Sequence, residues 1–439
     1  MTINRRHFLA TTGFSVAAGA FSATRLSSSL AFASEPSTNS QNWSEVRDQF
    51  AVSRDYIHLS SFFLASHPRP VREAIEQHRR AIDDNPFLYV EQHMFEMPGR
   101  VRAAAAEYLG GKAEEVALTN STTMGLAFVY HGLPMTAGQE ILTTTHEHYV
   151  HHEAIRLAAE RAGASVKKIS LFDDFNSISE EDIVRRIRKA VGPKTRAVGI
   201  TWVHSSSGLK VPVRRIAEAL KEINAGRAEA DRVLLIVDGV HGLGVEDEWV
   251  AQMGCDFFVA GTHKWMFGPR GTGIIWAKAD TWRRMRPNFP AFDFGPFAAW
   301  LRGETPPRGM EASWVSPGGF QAFEYAWALP AAFAFHQRIG RARVTERIHS
   351  LNDQCKEGLA RMRHVKLYTP MGNKLSAGLI CFDVEGMKPE EVVSRLLARR
   401  IIVSTSPYGV PYARLAPSLL NSPEEIETTL REIRALAAG

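Results

Sequence analysis

"VAGTHKWMFGP", residues 259–269, ends an apolar run on a single lysine, Lys264, with Gly261 and His263 just before it. A lysine head ordinarily seeks water, so one at the mouth of a strand needs a use. The runs around it define the fold. "EVALTN" (115–120), "EILTTT" (140–145), "SVKKISL" (165–171), "TRAVGITWV" (195–203), "VLLIVDG" (233–239), "FFVAGT" (257–262) and "GTGIIWA" (271–277) are short, mostly apolar and rich in β-formers. Helical patterns such as "HHEAIRLAAERAG" and "PVRRIAEALKEINAG" separate several of them. Strands alternating with helices predict an α/β fold with a mainly parallel seven-stranded sheet covered on both faces. Residues 278–320 read as an irregular Pro/Gly/aromatic stretch and 321–350 as one long helix-like segment. "KLSAGLICFDV", "PEEVVSRLLARR" and "IIVSTS" then form a smaller C-terminal α+β domain. The expected organisation is an N-terminal segment (34–59), a large domain (60–320) and a small one (321–439).

At 439 residues the chain can bury one large core and a smaller one. Its net charge of +5 is spread without a dense basic stripe, which argues against nucleic acid as a partner. Cys255, Cys355 and Cys381 lack any CxxC spacing, so neither a zinc site nor a disulfide framework is expected. Cys381, in "AGLICFDV", reads as a buried small hydrophobe. Residues 1–33 carry paired Arg5 and Arg6, then Phe8 and Leu9, a Gly/Ala-rich run and the small-residue site Ala31-Phe32-Ala33. That pattern predicts a twin-arginine signal cleaved near Ala33. The expected location is the periplasm, reached in folded form through the twin-arginine translocon, with any cofactor loaded in the cytoplasm.

In an open α/β sheet, ligands bind at the carboxyl ends of the strands. Ser121, Thr122 and Thr123 follow "VALTN", His148 follows "ILTTTHE", and Ser205 follows "ITWVH". Asp238 ends "LLIV" and Lys264 follows "FFVAGTH". A lysine among apolar residues loses its proton more easily, and the neutral amine can form a Schiff base. Pyridoxal phosphate (PLP) supplies the matching carbonyl, and its ring nitrogen needs an anionic partner such as Asp238. The hydroxyl-rich turn "TNSTTMG" opens a helical pattern suited to a phosphate. His148 can stack on the ring.

"VDGVHGLG" followed by "FFVAGTHKWMFGPRGTGIIW" resembles the class V aminotransferase family, PLP enzymes of fold type I, in its isopenicillin N epimerase-like branch. The resemblance runs from "DYIHLSSFFLASHPRPV" to "PYARLAPSLL". It implies that Lys264 carries the cofactor and Asp238 pairs with the ring nitrogen. Thr122, Thr123 and His263 match the phosphate turn, and His148, flanked by His146 and Tyr149, matches the stacking position. Val240 would pack under the ring, while His241 and Ser205 would face the phenolic oxygen. Arg414, in "PYARLAP", matches the residue that anchors a substrate carboxylate, and Ser316 matches one that reaches the neighbour's phosphate across a homodimer. Desulfurases of the family carry a nucleophilic cysteine shortly before that arginine, and "ARRIIVSTSPYGVPYAR" has none.

The implied function is chemistry at an amino-bearing carbon of an amino acid or a derived group. With the export signal, the preferred context is periplasmic modification of a siderophore (pyoverdine) glutamyl side chain, as in fluorescent pseudomonads, by transamination or oxidative decarboxylation. A C–S lyase or epimerase of the same family is the alternative, and an exported non-catalytic binding protein is the rival from another class. A nicotinamide oxidoreductase is disfavoured, because "DGVHGLG" has GxxGxG rather than GxGxxG spacing.

Overall fold

The computed structural model describes residues 42–305, 310–315 and 319–438. The expected signal, residues 1–33, and Ser316 lie outside them. All seven predicted strands are present: β1 (Val116–Thr119), β2 (Glu140–Thr144), β3 (Ser165–Ile169), β4 (Thr195–Thr201), β5 (Leu234–Asp238), β6 (Phe257–Gly261) and β7 (Gly273–Trp276). They pair in the order β1-β7-β6-β5-β4-β2-β3. The β2–β3, β2–β4, β4–β5 and β5–β6 pairs are parallel, and β7 runs antiparallel to both β1 and β6.

These strands are apolar on both faces because helices cover both. Val198, Ile200, Leu235, Val237 and Phe258 point into one core with Ile183, Ile187, Ile216 and Leu220. Their alternates Ala197, Leu234, Ile236, Phe257 and Val259 point into a second core with Leu126, Val129, Ile155 and Ala158. The second core is covered by α1 (Thr122–Gly132) and α2 (Tyr149–Ala162), the first by α3 (Glu180–Ala190) and α4 (Val213–Asn224). Local chemistry agrees with the packing. Ser179 caps α3 by accepting from Asp182 N, with Glu180 and Glu181 in the first turn and Arg188 and Lys189 in the last.

The segment read as one helix over 321–350 is two, α5 (Phe323–Ile339) and α6 (Arg341–Ala360). Gly340, at φ +95°, lets the chain turn between them. A four-stranded antiparallel sheet follows, with β8 (Val365–Leu367), β9 (Ile380–Val384), β10 (Ser404–Thr405) and β11 (Ala413–Leu415) in the order β10-β11-β9-β8. With α7 (Pro389–Ala398) it encloses Leu351, Phe382, Leu396 and Leu415. "IIVSTS" divides at Val403. Ile401–Ile402 pairs in parallel with Ile57–His58, so the N-terminal segment is tied to the C-terminal part, while Ser404 and Thr405 pair with β11.

The turn after β4 joins the two sheets. Thr369 Oγ1 donates to the Ser207 carbonyl at 2.7 Å, and Ala377 N donates to the Gly208 carbonyl at 3.1 Å. Gly208 has φ +68°, and a Cβ there would stand 2.1 Å from the Leu379 carbonyl oxygen. Both the backbone geometry and the backbone contact demand glycine. Gly208→Ala is therefore expected to destabilise the fold by about 2–4 kcal/mol, read as a lowered thermal midpoint. An unchanged midpoint would show that the two sheets can part here without cost.

Candidate active site

Lys264 sits in a tight turn between β6 and β7. Gly268 N donates to the Thr262 carbonyl at 2.8 Å and Phe267 N to the Lys264 carbonyl at 3.0 Å. Phe267 adopts φ +53°, a left-handed conformation costly for a side-chain-bearing residue, on the order of 1–3 kcal/mol. Burial holds it there, with Phe50 edge-on at 4.9 Å and His336 stacked at 5.8 Å. Lys264 Nζ lies 3.2 Å from His241 Nε2, and Trp265 Nε1 donates to His241 Nδ1 at 3.3 Å.

That chain fixes a protonation state. Trp265 can only donate, so His241 Nδ1 is the acceptor. Burial, with Lys264 and Arg414 nearby, drives the His241 pKa well below its ordinary value and keeps the ring neutral. Its one proton is then on Nε2, which donates to Lys264 Nζ, and the amine must offer a lone pair. The lysine pKa agrees. Burial lowers it from 10.5 to about 8, with Asp238 opposing and Arg414 assisting.

Asp238 ends β5, aligned with Thr201 on β4 and Val259 on β6. It is 3% exposed, and Oδ1 accepts from the amide of buried Val240 at 3.1 Å. Burial raises its pKa, while His151, the Val240 amide and Lys264 pull it down. A second buried carboxylate stands nearby. Glu147 accepts from Thr144 Oγ1 at 2.6 Å and from Thr201 Oγ1, with His151 Nδ1 at 3.3 Å. His151 Nε2 meets Tyr130 Oη at 2.7 Å. Although burial pushes Glu147 up, these partners hold it down at about 2.

The expected phosphate turn is the start of α1. Ser121 is its N-cap and accepts from Met124 N, leaving Thr123 exposed at the helix start. Thr122 is buried, its Oγ1 accepting from Gly261 N at 2.8 Å. A Cβ at Gly261 would meet His263 at 2.9 Å and Thr122 Oγ1 at 3.3 Å. His263 Nδ1 is buried with no hydrogen-bond partner among the described residues. A helix N-terminus, a close-packed glycine and an unsatisfied imidazole nitrogen are features of an anion site.

Of the three residues considered for stacking, His148 faces the cleft. It caps α2 and feels both Lys264 and Arg414, which with burial depress its pKa. His146 stacks on Phe172 at 4.4 Å and accepts from Leu171 N, and Tyr149 is 68% exposed. Arg414, on β11, is buried beneath the ring of Phe62. Its Nε donates to Ser404 Oγ at 3.0 Å and Nη1 to the Ser205 carbonyl at 2.9 Å. The Ser205 hydroxyl is engaged by Tyr408 Oη at 2.6 Å, and the Tyr408 ring stands edge-on to His148. The site thus gathers Lys264, Asp238, His241, His148, Ser205 and Arg414 around one cleft, with Thr122 and His263 beside β6. Sequence reasoning missed Glu147, His151 and Tyr408. The first two lie in "THEHYVHH", whose density of ionisable groups after a strand was the available signal. Among the described residues, no group of three or more His, Cys, Asp or Glu side chains could hold a metal ion.

A family model described as aminotransferase class-V matches residues 68–422. Isopenicillin N epimerase of Streptomyces clavuligerus is 23% identical over 406 residues, covering 90% of this chain and 98% of the relative. A probable cysteine desulfurase of Halalkalibacterium halodurans is 26% identical over 366 residues, covering 82% and 85%. Among solved structures, a mutant of C-DES with glycine covalently linked to its PLP cofactor superposes with a TM-score of 0.78 at 23% identity, covering 88% and 98%. An apo cysteine desulfurase from Thermococcus onnurineus NA1 gives 0.75 at 22%, covering 90% and 98%. The fold is fold type I of the PLP-dependent transferases, as the resemblance to the class V family implied.

The depressed lysine can be measured directly. In protein freed of small molecules, acylation of Lys264 should rise with pH to a half-maximal rate near 8, against 10.5 for an ordinary lysine. Arg414→Met removes a repelling charge and should move the midpoint up. Asp238→Asn removes an attracting one and should move it down. A midpoint near 10.5 in the unaltered protein would contradict the neutral-amine assignment.

Proposed function

The chain belongs to the class V aminotransferase family, whose members are PLP-dependent enzymes, and from that premise we propose that it acts at the amino-bearing carbon of an amino acid or an amino-acid-derived group. The observation that carries this reading is a buried Lys264 amine, contacting His241 and with its pKa lowered to about 8, near the buried Asp238 and Arg414. The residues fit the cofactor. Lys264 would hold it covalently, Asp238 would pair with its ring nitrogen, and the start of α1 with His263 would take its phosphate. When bound, PLP supplies a conjugated cationic ring that accepts the electron pair released at the substrate carbon.

The protein side of the chemistry follows from the site. Arg414 holds a substrate carboxylate with the edge of its guanidinium that Ser404 and Ser205 leave free. Lys264 Nζ would take the proton from the substrate carbon and return it. His241 keeps that nitrogen oriented, its own tautomer set by Trp265. Asp238 remains ionised against a cation, because pairing offsets the burial that otherwise raises its pKa. Tyr408, Phe62 and His148 wall the cleft and limit water.

We place the reaction among those that need no thiol nucleophile, with tailoring of a glutamyl side chain of a siderophore such as pyoverdine as the preferred context. Supporting this are the twin-arginine pattern in residues 1–33 and the position of Tyr408, in the loop where the family's desulfurases carry cysteine. Epimerisation is the second reading, favoured by the similarity to isopenicillin N epimerases. A homodimer belongs to the proposal. Met124 is 56% exposed and Tyr149 68%, large apolar side chains of the kind a second copy would cover.

Borohydride reduction of the purified protein should fix a phosphopyridoxyl mass on the peptide containing Lys264. Asp238→Ala should retain that mass while slowing conversion of amino-acid substrates by at least about 100-fold, roughly 2.7 kcal/mol. The label on another peptide, or a loss under about tenfold, would overturn the assignment.

For the export proposal, Arg5→Lys with Arg6→Lys should leave folded, yellow protein in the cytoplasm, because the twin-arginine pair is the recognised element. Undiminished periplasmic protein in a cell fractionation would reject this route.

A further inference from the structure

A cleft of about 610 Å³ opens beside Arg414, between residues 58–66 and the edge formed by residues 402–407. That volume falls within the range of drug-sized ligand sites and exceeds what a small amino acid fills. Its lining includes two guanidinium groups, Arg414 and Arg270, and no carboxylate. Arg414 is 5% exposed, and its contacts with Ser404, Ser205 and Phe62 leave Nη2 without a protein acceptor. Arg270 follows the lysine-bearing turn and is exposed, with no ion-pair partner among the described residues. Exposed arginines elsewhere pair with carboxylates, as Arg79 and Arg156 do. Between hydroxyls from Ser60, Ser61 and Ser66, the same lining exposes Phe63 and Leu64. Arginine stays charged at every working pH, so the cleft is cationic throughout, with an apolar wall.

We propose that Arg270 is a second anion-binding residue of this cleft, and that the substrate is an α-amino acid whose side chain continues into a second anionic group. The α-carboxylate meets Arg414, the carbon chain lies along Phe63 and Leu64, and the far anion meets Arg270. This rests on the reading of Arg414 as the carboxylate anchor. The exposed Phe63 and Leu64 side chains give a carbon spacer apolar surface to lie along. Arg270 is thus a specificity residue and takes no part in proton transfer.

The test uses the cofactor-loaded protein and calorimetric titration with glutamate, 2-aminoadipate and 2-aminopimelate, against norleucine as the uncharged comparison. The series covers the unknown span between the two arginines. At least one dicarboxylate should bind about tenfold or more tightly than norleucine, which is about 1.4 kcal/mol. Arg270→Gln should abolish that preference and leave norleucine binding within about twofold, while Arg270→Lys retains part of it. No binding by any of the four, equal binding of all, or a preference that survives Arg270→Gln would each overturn the proposal, leaving Arg270 a solvated surface residue. Arg414→Lys separates the two readings. If it weakens all four ligands alike, the anchor stands on its own evidence, whatever Arg270 does. If it weakens none, the anchor reading fails first.

Discussion

The contact on which the site depends is the one between Lys264 Nζ and His241 Nε2. A lysine pKa brought from 10.5 to about 8 corresponds to on the order of 3 kcal/mol against the ammonium, less where water reaches the amine. The fold sustains that cost by denying alternatives. Trp265, buried at 1% exposure, commits the other imidazole nitrogen, so His241 cannot turn its lone pair to the lysine. The left-handed Phe267 closes the turn that carries both Lys264 and Trp265, and Phe50 and His336 hold it closed. Local strain and aromatic packing thus act on one nitrogen.

Beneath this lies a balance of two buried carboxylates. Asp238 and Glu147 repel, and each raises the other's cost of ionisation. Hydroxyls from Thr144 and Thr201, together with His151, stabilise Glu147 as the anion. Asp238 has only the Val240 amide and the charges of His151 and Lys264. The asymmetry matters for function. Glu147 is already satisfied by protein, whereas Asp238 keeps capacity for a cation from outside. Two carboxylates on neighbouring elements therefore divide into one structural anion and one available for a ligand.

Much of this was legible in the sequence, and the rest was not, for one physical reason. Strand runs and strand-end residues are local patterns, so the seven strands, Lys264 and Asp238 could be placed from the residues themselves, whereas Arg414 was nominated by the family resemblance. Partnerships made across the sheet could not. Thr201 reaches Glu147 over 54 positions, and Tyr408 reaches Ser205 over 203. Ser205 was read as facing the phenolic oxygen, and its hydroxyl also has a partner, Tyr408, from the loop between β10 and β11. The undivided helix over 321–350 failed differently. Its apolar pattern continues across Gly340, and only the glycine's φ breaks it.

The chemistry open to the cleft is narrowed further by the one cysteine beside it. Cys381 pairs directly with Arg414 in the ladder between β9 and β11, a cation that would ordinarily favour a thiolate. Burial prevails, and the thiol is pushed up to about 12 with Arg414 only partly opposing. A shift of that size costs on the order of 4 kcal/mol for ionisation, and Cys381 is fully buried with its amide fixed to Thr369. Tyr408, in the loop before Arg414, is raised as well by burial, so its phenol stays protonated. With the thiol and the phenol both held protonated, Lys264 is the group in the cleft best able to release and accept a proton near neutral pH. The proposed reaction is accordingly assigned to that amine, and its proposed specificity to the arginines around it.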